Sequence, residues 1–144
     1  MMDEYEQWQA EVKKLQEENE GILKGFHDYL ERSGLSKKTI RVHVGNIEFF
    51  GNDYLTREDP TSLADGWSMI DEFLGYYFVR KCMWSSPATT RQYITSFKKF
   101  YAYYYEVGGI SKETLEKVKF ELKEGKEDWI DAHGELDELL GWDW

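Results

Sequence analysis

An all-α fold follows from three features of the sequence. Apolar residues recur at steps of three and four through most of the chain. The two prolines, Pro60 and Pro87, stand outside the interiors of these periodic stretches. Serines precede three of the stretches, and glycines follow two, which are the expected start and stop residues of helices. Hydrophobic residues make up 41% of the 144 positions and aromatics 17%, enough to build a core rather than a disordered chain.

The first stretch places Tyr5, Trp8, Val12, Leu15, Asn19, Ile22, Phe26 and Tyr29 on a heptad seam. Asn19 occupies a core slot, where coiled coils use Asn to set register. Gly21 and Gly25 weaken a continuous helix by roughly 1 kcal/mol each. Two readings are open: a helix packed on its own domain and broken near Gly21, or a dimerising coiled coil. Residues 1–25 are assigned to this amphipathic N-terminal helix.

Gly34 closes that stretch and Ser36 caps the next. Ile40, Val44, Ile47 and Tyr54 share one face, with His43 and Phe50 beside it. Lys37, Lys38 and Arg41 lie off that face, near the helix start. Asp59–Pro60 marks a loop. "WSMIDEFLGYYFVRKCMW" then reads as one buried helix through Trp67, Ile70, Leu74, Tyr77 and Phe78.

"SSPATTRQYITSFKKFYAYYYEVGG" is the most informative segment. Ser86 is a favourable N-cap, and Pro87 suits the first helical position, where no N–H is needed. Tyr93, Phe97, Phe100, Tyr104 and Val107 form the core face, widened by Ile94 and Tyr101. Arg91, Thr95, Lys98 and Ala102 form a second, cationic face. Gly108 and Gly109 end the helix. Ser111 caps a further helix with Leu115, Val118 and Leu122 on one side. After Gly125, Trp129, Ala132, Leu136 and Leu140 form a stripe that Gly134 interrupts. Residues 125–144 are assigned as an acidic, Trp-rich tail.

The net charge is −10, and its distribution is uneven. Residues 1–34 carry −5 and residues 111–144 carry −6, whereas residues 35–110 carry +1. The cations of the middle cluster at two helix starts, where the helix dipole disfavours them and an anionic ligand would favour them. Thr89, Thr90, Arg91, Lys98 and Lys99 in one segment, and Lys37, Lys38, Thr39 and Arg41 in the other, are therefore the candidate phosphate-contacting residues.

Catalytic and metal chemistry find little support. His27, His43 and His133 are far apart in sequence, without Cys or His partners at zinc-ligand spacing. Ser96–Lys99 fits a Ser-x-x-Lys pattern without its companion motifs. No glycine-rich phosphate loop is present. The expectation is a non-enzyme without cofactor or metal. Cys82 is the single cysteine, so no internal disulfide forms. No apolar run approaches the roughly 20 residues of a membrane span. "MMDEYEQWQ" lacks the layout of a signal peptide. A cytoplasmic location without membrane contact is expected.

"YLERSGLSKKTI" at Tyr29–Ile40 and "TTRQYITSFKKFYAYYYEVGGI" at Thr89–Ile110, in this order, resemble the N-terminal core-binding domain of tyrosine recombinases, the phage integrase family. The similarity covers roughly residues 26–124. It implies a SAM-like orthogonal bundle of four to five core helices, here with an extra N-terminal helix and the acidic tail. It also implies a grip on duplex DNA through the starts of two helices, which carry Lys37, Lys38, Thr39 and Arg41 in one and Thr89, Thr90 and Arg91 in the other, with Lys98 and Lys99 further along. The family's catalytic half, with its His-x-x-Arg and Tyr nucleophile, has no counterpart in these residues. The expected function is thus a non-catalytic DNA-binding module connected with DNA recombination. The alternative is a protein-interaction or regulatory module that keeps the fold and has lost DNA binding. Its partner would be a recombinase or a second copy, engaged through the heptad seam or the acidic tail. The tail itself is expected to dock, on the basic face or on a partner, because its tryptophans are too apolar to stand free in solvent.

Overall fold

Asp3 opens the first helix: its carboxylate accepts the Glu6 N–H at 2.8 Å, and Glu4 and Glu6 complement the positive helix end. A computed structural model describes the backbone of residues 1–140 and the side chains of residues 1–134. The architecture is all-α, with no strand among the described residues. The chain divides into two compact units, Met1–Gly66 and Trp67–Trp144.

In the first unit, α1 runs without a break over Glu4–Arg32. The break expected near Gly21 is absent. Burial of Leu23, Phe26 and Leu30 on one face outweighs the intrinsic cost of the two glycines. The segment limit expected at residue 25 accordingly lies inside a helix. Gly34, at φ +81°, turns the chain out of α1, and Ser36 accepts the Thr39 N–H at 3.2 Å to start α2, Lys37–Phe49. α2 continues into a π turn, Phe50–Tyr54. The turn brings Gly51 so close to Leu63 and Asn19 that a Cβ there would lie 3.0 Å from Leu63 Cδ2.

Asn19 is 2% exposed and donates from Nδ2 to the Asn52 side-chain oxygen at 2.9 Å. Its core position is thereby explained within one chain, with no second helix needed. Trp8 Nε1–H donates to the Glu58 carbonyl at 2.7 Å. The upper part of α1 is thus tied to the loop that follows the π turn.

In the second unit, the stretch expected to be one helix is composite. A 3₁₀ turn, Gly66–Met69, which starts on the last residue of the first unit, leads into α3, Ile70–Glu72, then a π turn, Phe73–Tyr77, then α4, Phe78–Lys81. The widened turn lets Phe73, Leu74 and Phe78 all be buried. α5 spans Pro87–Glu106, and Gly108 at φ +82° ends it. α6 spans Lys112–Leu140 and passes through Gly125 and Gly134 without interruption. The tail expected to begin at residue 125 is therefore, up to residue 140, the second half of one long helix.

The core of this unit is a ring cluster: Phe73, Phe78, Tyr93 and Phe97 lie with centroids 4.8–6.3 Å apart. The observed core face departs from the expected one at Tyr103, in α5, and at Val107, just beyond its end. Val107 is 59% exposed, because the helix ends before it, and Tyr103 is buried instead.

Cys82 is 5% exposed, and burial pushes its thiol up to about 11 from 9.0. The raised folded value means the neutral thiol is favoured by folding. That contribution is intact below about pH 9 and is lost as pH rises toward about 11. Native protein at pH 8 should therefore resist alkylation by iodoacetamide, and denatured protein should react fully. Fast labelling of the native chain would contradict the buried placement.

Candidate nucleic-acid interface

The α2 start is built on Ser36. Its hydroxyl caps the helix and its Oγ–H donates to Thr39 Oγ1 at 3.0 Å, so Thr39 is half-buried in the cap. Lys37, Lys38 and Arg41 project into solvent. No acidic residue stands in the first turn. Ile40, His43 and Ile47 hold the opposite face in the core.

The α5 start is built on a reciprocal cap. Ser86 Oγ accepts the Thr89 N–H at 3.0 Å, and Thr89 Oγ1 accepts the Ser86 N–H at 2.8 Å. The Thr89 hydroxyl also lies 3.2 Å from the Trp84 carbonyl, so it is committed to the cap. Arg91 and Lys98 are exposed, and Lys99 is half-buried. This first turn also lacks an acidic residue. Of the four long helices, α1 and α6 carry acids there, and α2 and α5 do not.

Thr90 does not belong with the surface residues. It is 0% exposed, and its Oγ1 lies 2.6 Å from His133 Nε2. Its place in the expected phosphate-contacting set is corrected: Thr90 joins α5 to α6 inside the second unit. The helical spacing of three between Thr90 and Tyr93 puts it on the core face, a signal that its polar side chain concealed. Valine at this position keeps the shape and removes the hydroxyl. Thr90→Val should cost about 1–3 kcal/mol in chemical denaturation, the range for a buried polar contact. It should leave any DNA affinity of the folded protein unchanged, and a selective loss of that affinity would return Thr90 to the interface.

Lys37, Lys38, Arg41, Arg91 and Lys98 thus remain as exposed cations, with no ion pair among the described residues. The surface exists as two patches, one on each unit. A third set of residues escaped the sequence reading. Met83 is fully exposed and Trp84 is 54% exposed, on the short link between α4 and α5, next to Arg80 and Lys81. Trp84 rests one ring edge on Phe78, with centroids 6.3 Å apart, and Arg80 lies over the Tyr76 ring at 4.7 Å. Helical periodicity could not flag them, because the helix ends at Lys81.

Other candidate chemistry is accounted for structurally. Ser96 is buried and its Oγ–H donates to the Gln92 carbonyl at 3.0 Å, so the Ser-x-x-Lys match is a helix-internal contact. His27, Asp28 and Glu31 place one ligand atom each within 4.8 Å of one another on the exposed face of α1. The His27–Glu31 separation of 3.2 Å is that of an ordinary i,i+4 surface pair. Among the described residues, no helix is long and apolar enough to cross a membrane. Comparison of the chain with family models, with curated proteins and with solved structures finds no match.

Proposed function

We propose that the chain is a non-catalytic module that binds duplex DNA through the exposed starts of α2 and α5, as its resemblance to the SAM-like core-binding domain of tyrosine recombinases implies. One observation carries the reading. The two long helices without first-turn acids carry exposed cations in their first two turns that no nearby carboxylate offsets, Lys37, Lys38 and Arg41 on α2 and Arg91 on α5 with Lys98 further along, whereas Lys112 at the start of α6 stands beside Glu113. Lys37 and Lys38, in the first turn of α2, oppose the dipole by about 0.3–1 kcal/mol each, so their placement opposes helix stability and suits an anion. Phosphates would be held by charge-assisted contacts from the Lys and Arg side chains. Thr39 and Thr89 are tied up in caps and contribute by shaping the helix ends.

The test is a salt titration of binding to a labelled duplex. With about five phosphate contacts, the log–log slope should be about −4 to −5. Absence of binding at low salt, or affinity indifferent to salt, would sink the reading. The competing reading, a protein-interaction module without DNA binding, is favoured by the −10 net charge and by the loss of Thr90 to the core. It predicts that flat outcome.

A further inference from the structure

The geometry points to a docking groove on the second unit for a basic amphipathic segment of a partner protein. The groove has a volume of about 540 Å³ and is lined by Trp67, Glu113, Glu116, Lys117, Phe120 and Glu121. That volume lies in the range of roughly 300–1,000 Å³ typical of ligand clefts. Phe120 is 65% exposed on α6, whereas Leu115, Val118 and Leu122 of the same helix are buried. The sequence reading placed the core face of α6 correctly and passed over Phe120, which the helical spacing puts on the solvent side with Glu113, Glu116, Lys117 and Glu121.

Charge selects the occupant. The rim holds three carboxylates against one amine. Lys117 pairs with Glu113 at 3.4 Å, and Lys119 approaches Glu116 at 3.6 Å, while Glu121 has no ion pair among the described residues. An apolar floor of Trp67 and Phe120 beside the unpaired Glu121 carboxylate fits a segment that presents one large apolar side chain next to a Lys or Arg. A second copy of a chain carrying −10 is disfavoured by its own charge. The inference stands apart from DNA binding, which uses other residues.

The probe is a labelled peptide of Leu, Lys and Ala patterned as an amphipathic helix, measured by fluorescence anisotropy against the full chain. It should bind, and a counterpart with Glu in place of Lys should not. Phe120→Ser removes an exposed side chain, so the fold is retained, and it should weaken the peptide about tenfold or more. Glu121→Lys should weaken it comparably, whereas Glu17→Lys, an equal charge change on exposed α1, should have little effect. Amide chemical shifts should move at Trp67 and residues 113–121. Unchanged affinity in Phe120→Ser, equal weakening by Glu17→Lys, or equal binding of the acidic peptide would overturn the proposal. Self-association that Phe120→Ser dissolves would overturn it in favour of a second copy.

Discussion

Trp129→Ala is expected to destabilise the Trp67–Trp144 unit by about 3–5 kcal/mol, the range for emptying a large aromatic site. Trp129 is 1% exposed, and its Nε1–H donates to Asp71 Oδ1 at 2.7 Å. The indole lies across two glycines: a Cβ on Gly75 would stand 3.1 Å from its Cδ1, and one on Gly125 would collide with its six-membered ring. An intact domain is stable by about 5–15 kcal/mol, so the loss is a large share of the total. Gly125→Ala tests the same site from the other side. Alanine improves helix propensity by up to about 1 kcal/mol, but here it meets a buried ring held by a hydrogen bond, and overpacking of about 1–3 kcal/mol wins. Gly21→Ala is the control: nothing lies within 4 Å of its Cβ position, and it should stabilise. Urea unfolding followed by circular dichroism reads all three. A Trp129→Ala midpoint equal to the parent's would refute the packing argument.

This site also revises the expectation for the acidic tail. Trp129 packs against the Asp71–Gly75 segment, and His133 meets Thr90, so these two side chains anchor residues 126–134 in the core of the second unit, while the carboxylates of that stretch face solvent. Truncation after Gly125 should therefore unfold that unit rather than unmask a binding face. Leu136, Leu140, Trp142 and Trp144, also part of the tail expectation, have side chains outside the described residues.

Arg41→Glu together with Arg91→Glu is expected to abolish measurable duplex binding at physiological salt while leaving the unfolding midpoint unchanged. Both side chains are exposed, and neither has an ion pair among the described residues, so the fold does not depend on them. Removing each phosphate contact should make the log–log salt slope shallower by about one, and reversing the charge adds repulsion. The two single variants should each fall between parent and double variant, because each helix start contributes its own contacts. Equal binding by parent and double variant would show that these helix starts do not hold the duplex, whatever else the chain binds.

The sequence by itself determined the helical class, the capped starts at Ser36, Ser86 and Ser111, the stops at Gly34 and Gly108, and most of the inward faces of α2, α5 and α6. These are local properties: a cap needs a residue three or four positions away, and an apolar face needs a period. It also marked Lys37, Lys38, Arg41, Arg91 and Lys98 as exposed cations, since Lys and Arg off an apolar face go to water, whereas Lys99, marked with them, is half-buried. Tertiary structure decided the rest. Whether Gly21, Gly25, Gly125 and Gly134 break a helix depends on what the helix buries on either side of them, and a glycine cannot report that. The π turn at Phe73–Tyr77 depends on the crowd of rings it must turn inward. Thr90 reads as a surface hydroxyl until His133, 43 residues later, arrives within 2.6 Å of it. Trp129 reads as the aromatic of a tail that must dock on a basic face or a partner until Gly75 and Asp71 supply its bed and its acceptor. In each case the deciding partner is distant in sequence, and only the folded chain brings the two together.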